Sequence, residues 1–184
     1  MGVDDGDLEC LSRQLGFVPT NVVGVVARSD NGDPTVVKLY PLTASPKALR
    51  ACRTERQPFP TTYWLTCPKL KADISRLETR GLINEWQARV QGNEALLQEM
   101  EAAHKSYADD RWELLTEDDL VVVKDNGWEA ALGPGAGVAG LRRPDQIKCL
   151  HTHYAHYLGT GRRINLVGKW VDEALRLEAT LFPP

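Results

Sequence analysis

Asn21–Pro41 reads NVVGVVARSDNGDPTVVKLYP. Two runs of β-branched residues flank the turn-rich Ser29–Pro34, and that arrangement predicts a β-hairpin. A third strand is expected in PFPTTYWLTCP, Pro58–Pro68, held between Pro60 and Pro68. Three strands that share an apolar face suffice for a small sheet. Between hairpin and third strand the segment from Leu42 to Gln57 is rich in Lys and Arg and reads as a loop.

Outward from these strands the pattern is helical. Upstream, Asp4 or Asp5 is placed to cap a short helix with Leu8, Leu11 and Leu15 on one face and Gly16 as its stop. Downstream, Leu70, Ile74 and Leu77 share a face that ends at Gly81, and Ile83, Trp86 and Val90 continue to Gly92. Asn93 then caps a longer helix with Leu97, Met100, His104, Tyr107 and Arg111 along one side. The signal fades from Thr116 to Gly140, where LVVVK reads as a strand and GPGAGVAG as a loop. Asp145 is the expected cap of the next helix, and Asn165 of the last, with Val167, Trp170, Val171 and Ala174. No internal repeat appears. The fold class is α+β, a small antiparallel sheet of about three strands packed with four to six helices, in one domain over residues 1–184.

A chain of 184 residues is long enough to bury roughly 70% of its unfolded surface. The net charge of −3 argues against wrapping nucleic acid, since such binding neutralises phosphates. No apolar run reaches the ~20 residues of a membrane helix. The start MGVDDGDLEC is no signal peptide, and Gly6 stands where a myristoylation signal needs Ser or Thr. The expected location is the cytoplasm. Cys10, Cys52, Cys67 and Cys149 are widely spaced with no C-x-x-C pair, so they are expected as thiols.

Gly135, Gly137 and Gly140 spell G-x-G-x-x-G, but WEAAL precedes them and Arg143–Pro144 follows, without the strand, helix and distant acid of a dinucleotide site. There is no Walker lysine and no H-E-x-x-H, and no cofactor is expected.

The densest chemistry lies in IKCLHTHYAH, Ile147–His156. At ~100° per residue Ile147, Leu150, Tyr154 and Leu158 form a stripe with His151 at its edge, and Cys149, His153 and His156 fall within ~60° on the other side. Such residues, with Cys67 from the strand, are zinc ligand types. Two turns rise ~10.5 Å, so Cys149 and His156 stand too far apart for one ion with bonds of about 2.0–2.3 Å. Cys149 with His153 is the pair that geometry allows. The alternative is a half-buried helix with a packed cysteine and hydrogen-bonded histidines, and no metal is assigned. A nucleophile at Cys149 would lie inside a helix that blocks approach, whereas Cys67 sits at a strand end before Pro68. Cys67 also suits the role of a small buried hydrophobe.

Arginines bracket this helix: Arg142 and Arg143 before it, Arg162 and Arg163 after it. A helix N-terminus with guanidinium groups beside it holds a phosphate or carboxylate, although Asp145 as N-cap competes for that place. On the longer helix His104, Tyr107 and Arg111 fall close to the apolar stripe. They either line a cleft facing the second histidine helix or form the wet edge of an amphipathic helix, and the edge is the favoured reading.

These motifs also carry a resemblance. PFPTTYWLTCP, ISRLETRGLI, AAHKSY, IKCLHTHYAHYL and INLVG occur in the order of the bacterial domain-of-unknown-function family 501, over about Val36 to Gly168. The resemblance implies attention to Thr61, Arg76, Glu78, His104, Tyr107, Lys148, Cys149, His151 and His156. His153 matches a position that is usually apolar in the family, and Cys67 one where the family also carries histidine. The chain departs from the pattern in its expanded basic loop before Pro58 and in Leu166–Val167, where proline is usual. The family implies no reaction.

Two functions are open on this basis. In one, a polar cleft between the long helix and the second histidine helix binds a small anionic or phosphorylated ligand. Arg76 with Arg142 or Arg143 holds the anion, Thr61, Tyr107, Lys148 and His156 line the site, His104 or His151 does acid–base work, and Glu78 orients a histidine. In the other, the charged residues brace helices and an apolar patch docks a protein partner. A zinc protein is the lesser alternative.

Overall fold

The computed structural model describes residues 2–44 and 56–181. Helix α1 (Asp5–Leu15) is closed by a reciprocal capping box between Asp4 and Asp7 and ends at Gly16 in the left-handed region. The hairpin forms from β1 (Val22–Arg28) and β2 (Pro34–Leu39). Strand β3 (Leu42–Ala44) pairs with β4 (Arg56–Pro58), and β5 (Tyr63–Leu65) returns to β2. The three-stranded sheet is antiparallel in the order β1-β2-β5, with Val36 opposite Leu65 and Lys38 opposite Tyr63.

Helices α2 (Pro68–Thr79), α3 (Leu82–Gln91) and α4 (Glu94–Trp112) follow, then α5 (Glu117–Asp125) and the short α6 (Glu129–Leu132). A single 3-10 turn (Val138–Gly140) precedes α7 (Leu150–Gly159) and α8 (Leu166–Leu181). No helix among the described residues is long and apolar enough to cross a membrane.

The sheet is covered on both faces because β2 alternates between two cores. Val36 joins Tyr63, Leu65, Leu150, Tyr154 and Val167 in the main core beneath the helices. Val37 turns the other way, to Leu11 of α1, Val25 and Leu39, with Trp64 and Phe59 at the margin. Helix α7 lies against β5 and α8, so its N-terminus is carried to the sheet edge.

The structure corrects three expectations. LVVVK is helical, not a strand: Thr116 and Asp119 form a capping box, and Glu117, Asp118 and Asp119 place negative charge in the first turn. The expected loop Leu42–Gln57 supplies β3 and β4 at its ends, and the rest of that basic segment lies outside the described residues. Asp145 does not cap the histidine helix. That helix starts at Leu150 with Cys149 as N-cap, in extended conformation (φ −154°, ψ 118°), and Asp145 pairs instead with Arg143.

Candidate functional site

Lys71, Ser75 and Glu78 stand at i, i+4 and i+7 on α2, one face of the helix. That face meets the head of α7. The Leu150 N–H, an orphan donor of the first turn, donates to Glu78 Oε1 at 2.7 Å. The same oxygen lies 3.2 Å from His151 Nδ1. The far nitrogen, His151 Nε2, faces the Lys71 carbonyl at 3.0 Å and Ser75 Oγ at 3.3 Å. Cys149 Sγ lies 3.8 Å from His151 Nδ1. Because Cys149 is the N-cap, its sulfur projects from the end of α7 and is not blocked by the helix, contrary to the sequence reading.

Cys149, His151 and Thr152 open onto a cleft of about 380 Å³, lined also by Phe59, Thr61, Trp64 and Lys71. Phe59, Tyr63, Trp64 and Leu65 give it an apolar wall, and Thr61, Lys71, Cys149, His151 and Thr152 give it polar groups, the mixture of which small-molecule sites are built. The Cys149 sulfur beside it, helped by the Lys71 carbonyl and the Glu78 charge, raises His151 to about 9 against the opposing effect of burial. Burial pushes the Cys149 thiol up, but His151 and the Thr152 hydroxyl and N–H outweigh it and leave the thiol below its usual value. Cys149 makes no capping hydrogen bond to the first turn, so Thr152 acts on the sulfur as a nearby dipole.

The other histidines are elsewhere. His153 and His156 are fully buried and His104 nearly so. His104 Nδ1 accepts the Val138 N–H at 2.9 Å, and its ring meets His153 edge-on at 6.0 Å. Asn165 lies between the other two, with Oδ1 3.0 Å from His153 Nδ1 and Nδ2 3.1 Å from His156 Nδ1. Burial, the dominant cause in each case, pushes His104 and His156 down to about 4 and His153 to about 3. These rings are neutral interior groups.

The favoured wet edge on α4 is therefore overturned. Tyr107 is buried and accepts the Thr62 N–H at 2.8 Å, holding β5 to α4. Arg111 is buried too, and its guanidinium donates to the carbonyls of Leu132 (2.8 Å), Gly133 (3.0 Å) and Ala136. The glycine motif closes the same region. A Cβ on Gly137 would come 2.2 Å from His104 Nδ1, so only glycine lets this loop lie on the helix.

Of the residues singled out in the sequence, Thr61, Glu78 and His151 come together with Cys149 at the cleft. His104, Tyr107 and His156 lie in the interior. Arg76 pairs with Asp73 at 2.6 Å, Arg143 pairs with Asp145, and Arg142 donates to the Ala130 carbonyl. None of these arginines lines the cleft, and Lys148 is exposed beside it in sequence without lining it. Cys67 sits at the N-cap of α2 and borders a different hollow with Cys10 and Asp33. Cys149 and His153 do not form a pair, since His153 turns inward to Asn165. Sequence reading missed Lys71, Ser75 and Trp64. The spacing of Lys71, Ser75 and Glu78 was the available signal.

A larger hollow of about 750 Å³ lies beside β3 and the head of α5, lined by Tyr40, Thr116, Arg56 and Asp119. There Asp119 is already engaged by Arg56 and by the Tyr40 hydroxyl, so the smaller cleft carries the candidate site. Among known proteins, the model of a family described as protein of unknown function (DUF501) matches residues 25–173. No curated protein and no solved structure matches.

Proposed function

We propose that this chain, which belongs to the DUF501 family of proteins of unknown function, binds a small anionic ligand in the cleft at the head of α7. One observation carries the reading: Lys71 and His151, in contact through the Lys71 carbonyl, both line a cleft that Phe59, Tyr63, Trp64 and Leu65 also line. A ligand with a flat or apolar body and one carboxylate or phosphate group fits that mixture. The body stacks on the aromatic wall, and the charged end meets Lys71 and His151. Glu78 positions His151 from behind.

The anion is held by Lys71 in place of Arg76, Arg142 and Arg143, whose partners are elsewhere. A cleft that mixes polar and apolar groups favours a ligand site over a docking module, which calls for a broad apolar face. The setting is the cytoplasm, where Cys10, Cys67 and Cys149, free thiols in the structure, stay reduced. Nucleic acid is not a partner of a chain with this charge balance.

Phenyl phosphate titrated into chelator-treated protein tests the reading. Saturable amide shifts are expected at Thr61, Trp64, Thr152 and the first turn of α7. Lys71→Ala should weaken binding at least about tenfold, the scale of one charge-assisted contact, and Arg142→Ala should leave it unchanged. Shifts confined to Arg142 and Arg143, or none at all, would remove the cleft from consideration.

A further inference from the structure

We infer that Glu78, Cys149 and His151 form a zinc site whose remaining position opens onto the cleft. The inference rests on the ligand-site reading above and specifies what receives the ligand's charged end. One donor atom from each residue lies within 4.8 Å of the other two. Tetrahedral zinc with bonds of about 2.3 Å to sulfur and about 2.0–2.1 Å to nitrogen or oxygen sets S···N near ~3.6 Å and N···O near ~3.3 Å. The distances here are 3.8 Å from Cys149 Sγ to His151 Nδ1 and 3.2 Å from Nδ1 to Glu78 Oε1. Two of the three edges thus stand close to the tetrahedral values, and the sulfur-to-carboxylate edge lies within 4.8 Å.

The surroundings of the trio point the same way. A metal-binding imidazole donates its second N–H to a carbonyl or carboxylate, which orients the ring and leaves the other lone pair for the ion. His151 Nε2 has such a partner in the Lys71 carbonyl, 3.0 Å away, and Nδ1 is the nitrogen turned toward sulfur and carboxylate. Glu78 is steadied in turn by the Leu150 N–H. A thiolate, an imidazole and a carboxylate at this spacing suit zinc, whereas magnesium and calcium take oxygen ligands. Among the described residues no other three groups of these types come so close, the buried histidines included.

Cys149 and His151 line the cleft and Glu78 stands behind them, so the open position faces the cleft beside Lys71. A carboxylate or phosphate oxygen of the ligand binds there. Bound zinc takes the place of the proton between His151 and Glu78, and the trio then acts as a ligand set and not as a proton relay.

The test is titration of chelator-stripped full-length protein with cobalt(II), a spectroscopic stand-in for zinc, with no phosphate compound present. The expected result is saturable binding of one cobalt ion per chain, with a near-ultraviolet thiolate-to-cobalt band that zinc removes. Cys149→Ser should abolish the band. Glu78→Gln keeps an oxygen for the Leu150 N–H and should weaken binding at least about tenfold, and Cys67→Ser should change neither. Circular dichroism melts establish that each variant is folded. No band in the parent chain, or a band that survives in Cys149→Ser, overturns the metal centre. The phenyl phosphate titration contains no metal, so its outcome stands apart from this one.

Discussion

Arg111 is the residue whose sequence context and structural role diverge most. It sits at the end of an apolar stripe on α4, and a charged group there reads as the wet edge of a helix. The structure buries it completely and surrounds it with main-chain oxygens of Leu132, Gly133 and Ala136. Those acceptors come from the end of α6 and the loop after it, more than twenty positions away in the chain, so local periodicity contains no trace of them. Burial lowers the Arg111 pKa, yet its hydrogen bonds satisfy the carbonyls of Leu132 and Ala136 and share that of Gly133 with the Ala136 N–H. Arg111→Met keeps the length and removes the donors. It should cost about 3 kcal/mol or more in urea unfolding, because the buried Leu132 and Ala136 carbonyls lose this donor at once. A variant within about 1 kcal/mol of the parent would mean that the loop finds water instead. Glu78 is the converse case: the resemblance singled it out, and the structure joins it to both His151 and the α7 N-terminus.

Two helix starts show what was legible at the scale of elements. α1, α3, α4 and the hairpin follow their sequence signals closely, since their caps and turns are local. Helix α7 does not. Asp145 outranks cysteine as a capping residue, but the helix waits until Leu150, because α2 supplies the capping carboxylate through Glu78. A cap donated by another helix is invisible along one strand of sequence, and it is this delay that frees Cys149. In α5 the reverse holds: Val121–Val123 suggests a strand, and the Thr116–Asp119 capping box overrides it. Thr116→Ala removes one half of that box. It should destabilise the protein by about 1 kcal/mol and hasten amide exchange in α5 ahead of the sheet. Exchange unchanged across Glu117–Asp125 would show that packing of Val123 and Leu120, and not the cap, holds the helix.

For the whole molecule, the neutral interior histidines set its response to acid. His104 and His156 titrate near 4 in the fold, against 6.5 for the exposed side chain. Between those values the unfolded chain binds protons that the folded chain refuses. Their contribution to stability is therefore complete above about pH 6.5 and is lost as pH falls toward 4. The loss is on the order of 3 kcal/mol per ring. Below that window Asp7 follows, since its hydrogen bond with Arg28 outweighs burial and holds it under its ordinary value, and that stabilisation is lost on protonation. Urea midpoints measured at intervals from neutral pH to about pH 4 should fall steadily. A flat profile across that window would show that these rings reach solvent. The overall class, three strands under several helices, was legible because strand and helix periods differ. The partition of four histidines into one at a cleft and three inside was not, since the partners that bury them, Val138 for His104 and Asn165 for His153 and His156, come from other segments of the chain.

Asn165 has a consequence of its own. Its amide oxygen accepts the Gly168 N–H at 2.9 Å, and this fixes which end of the amide faces which ring. The oxygen requires His153 to carry its proton on Nδ1, and the NH₂ group requires His156 to leave Nδ1 bare. Two chemically identical side chains, less than one helical turn apart, are thereby locked in opposite tautomers. One turns a lone pair toward the protein interior and the other a proton, an asymmetry imposed by a single amide.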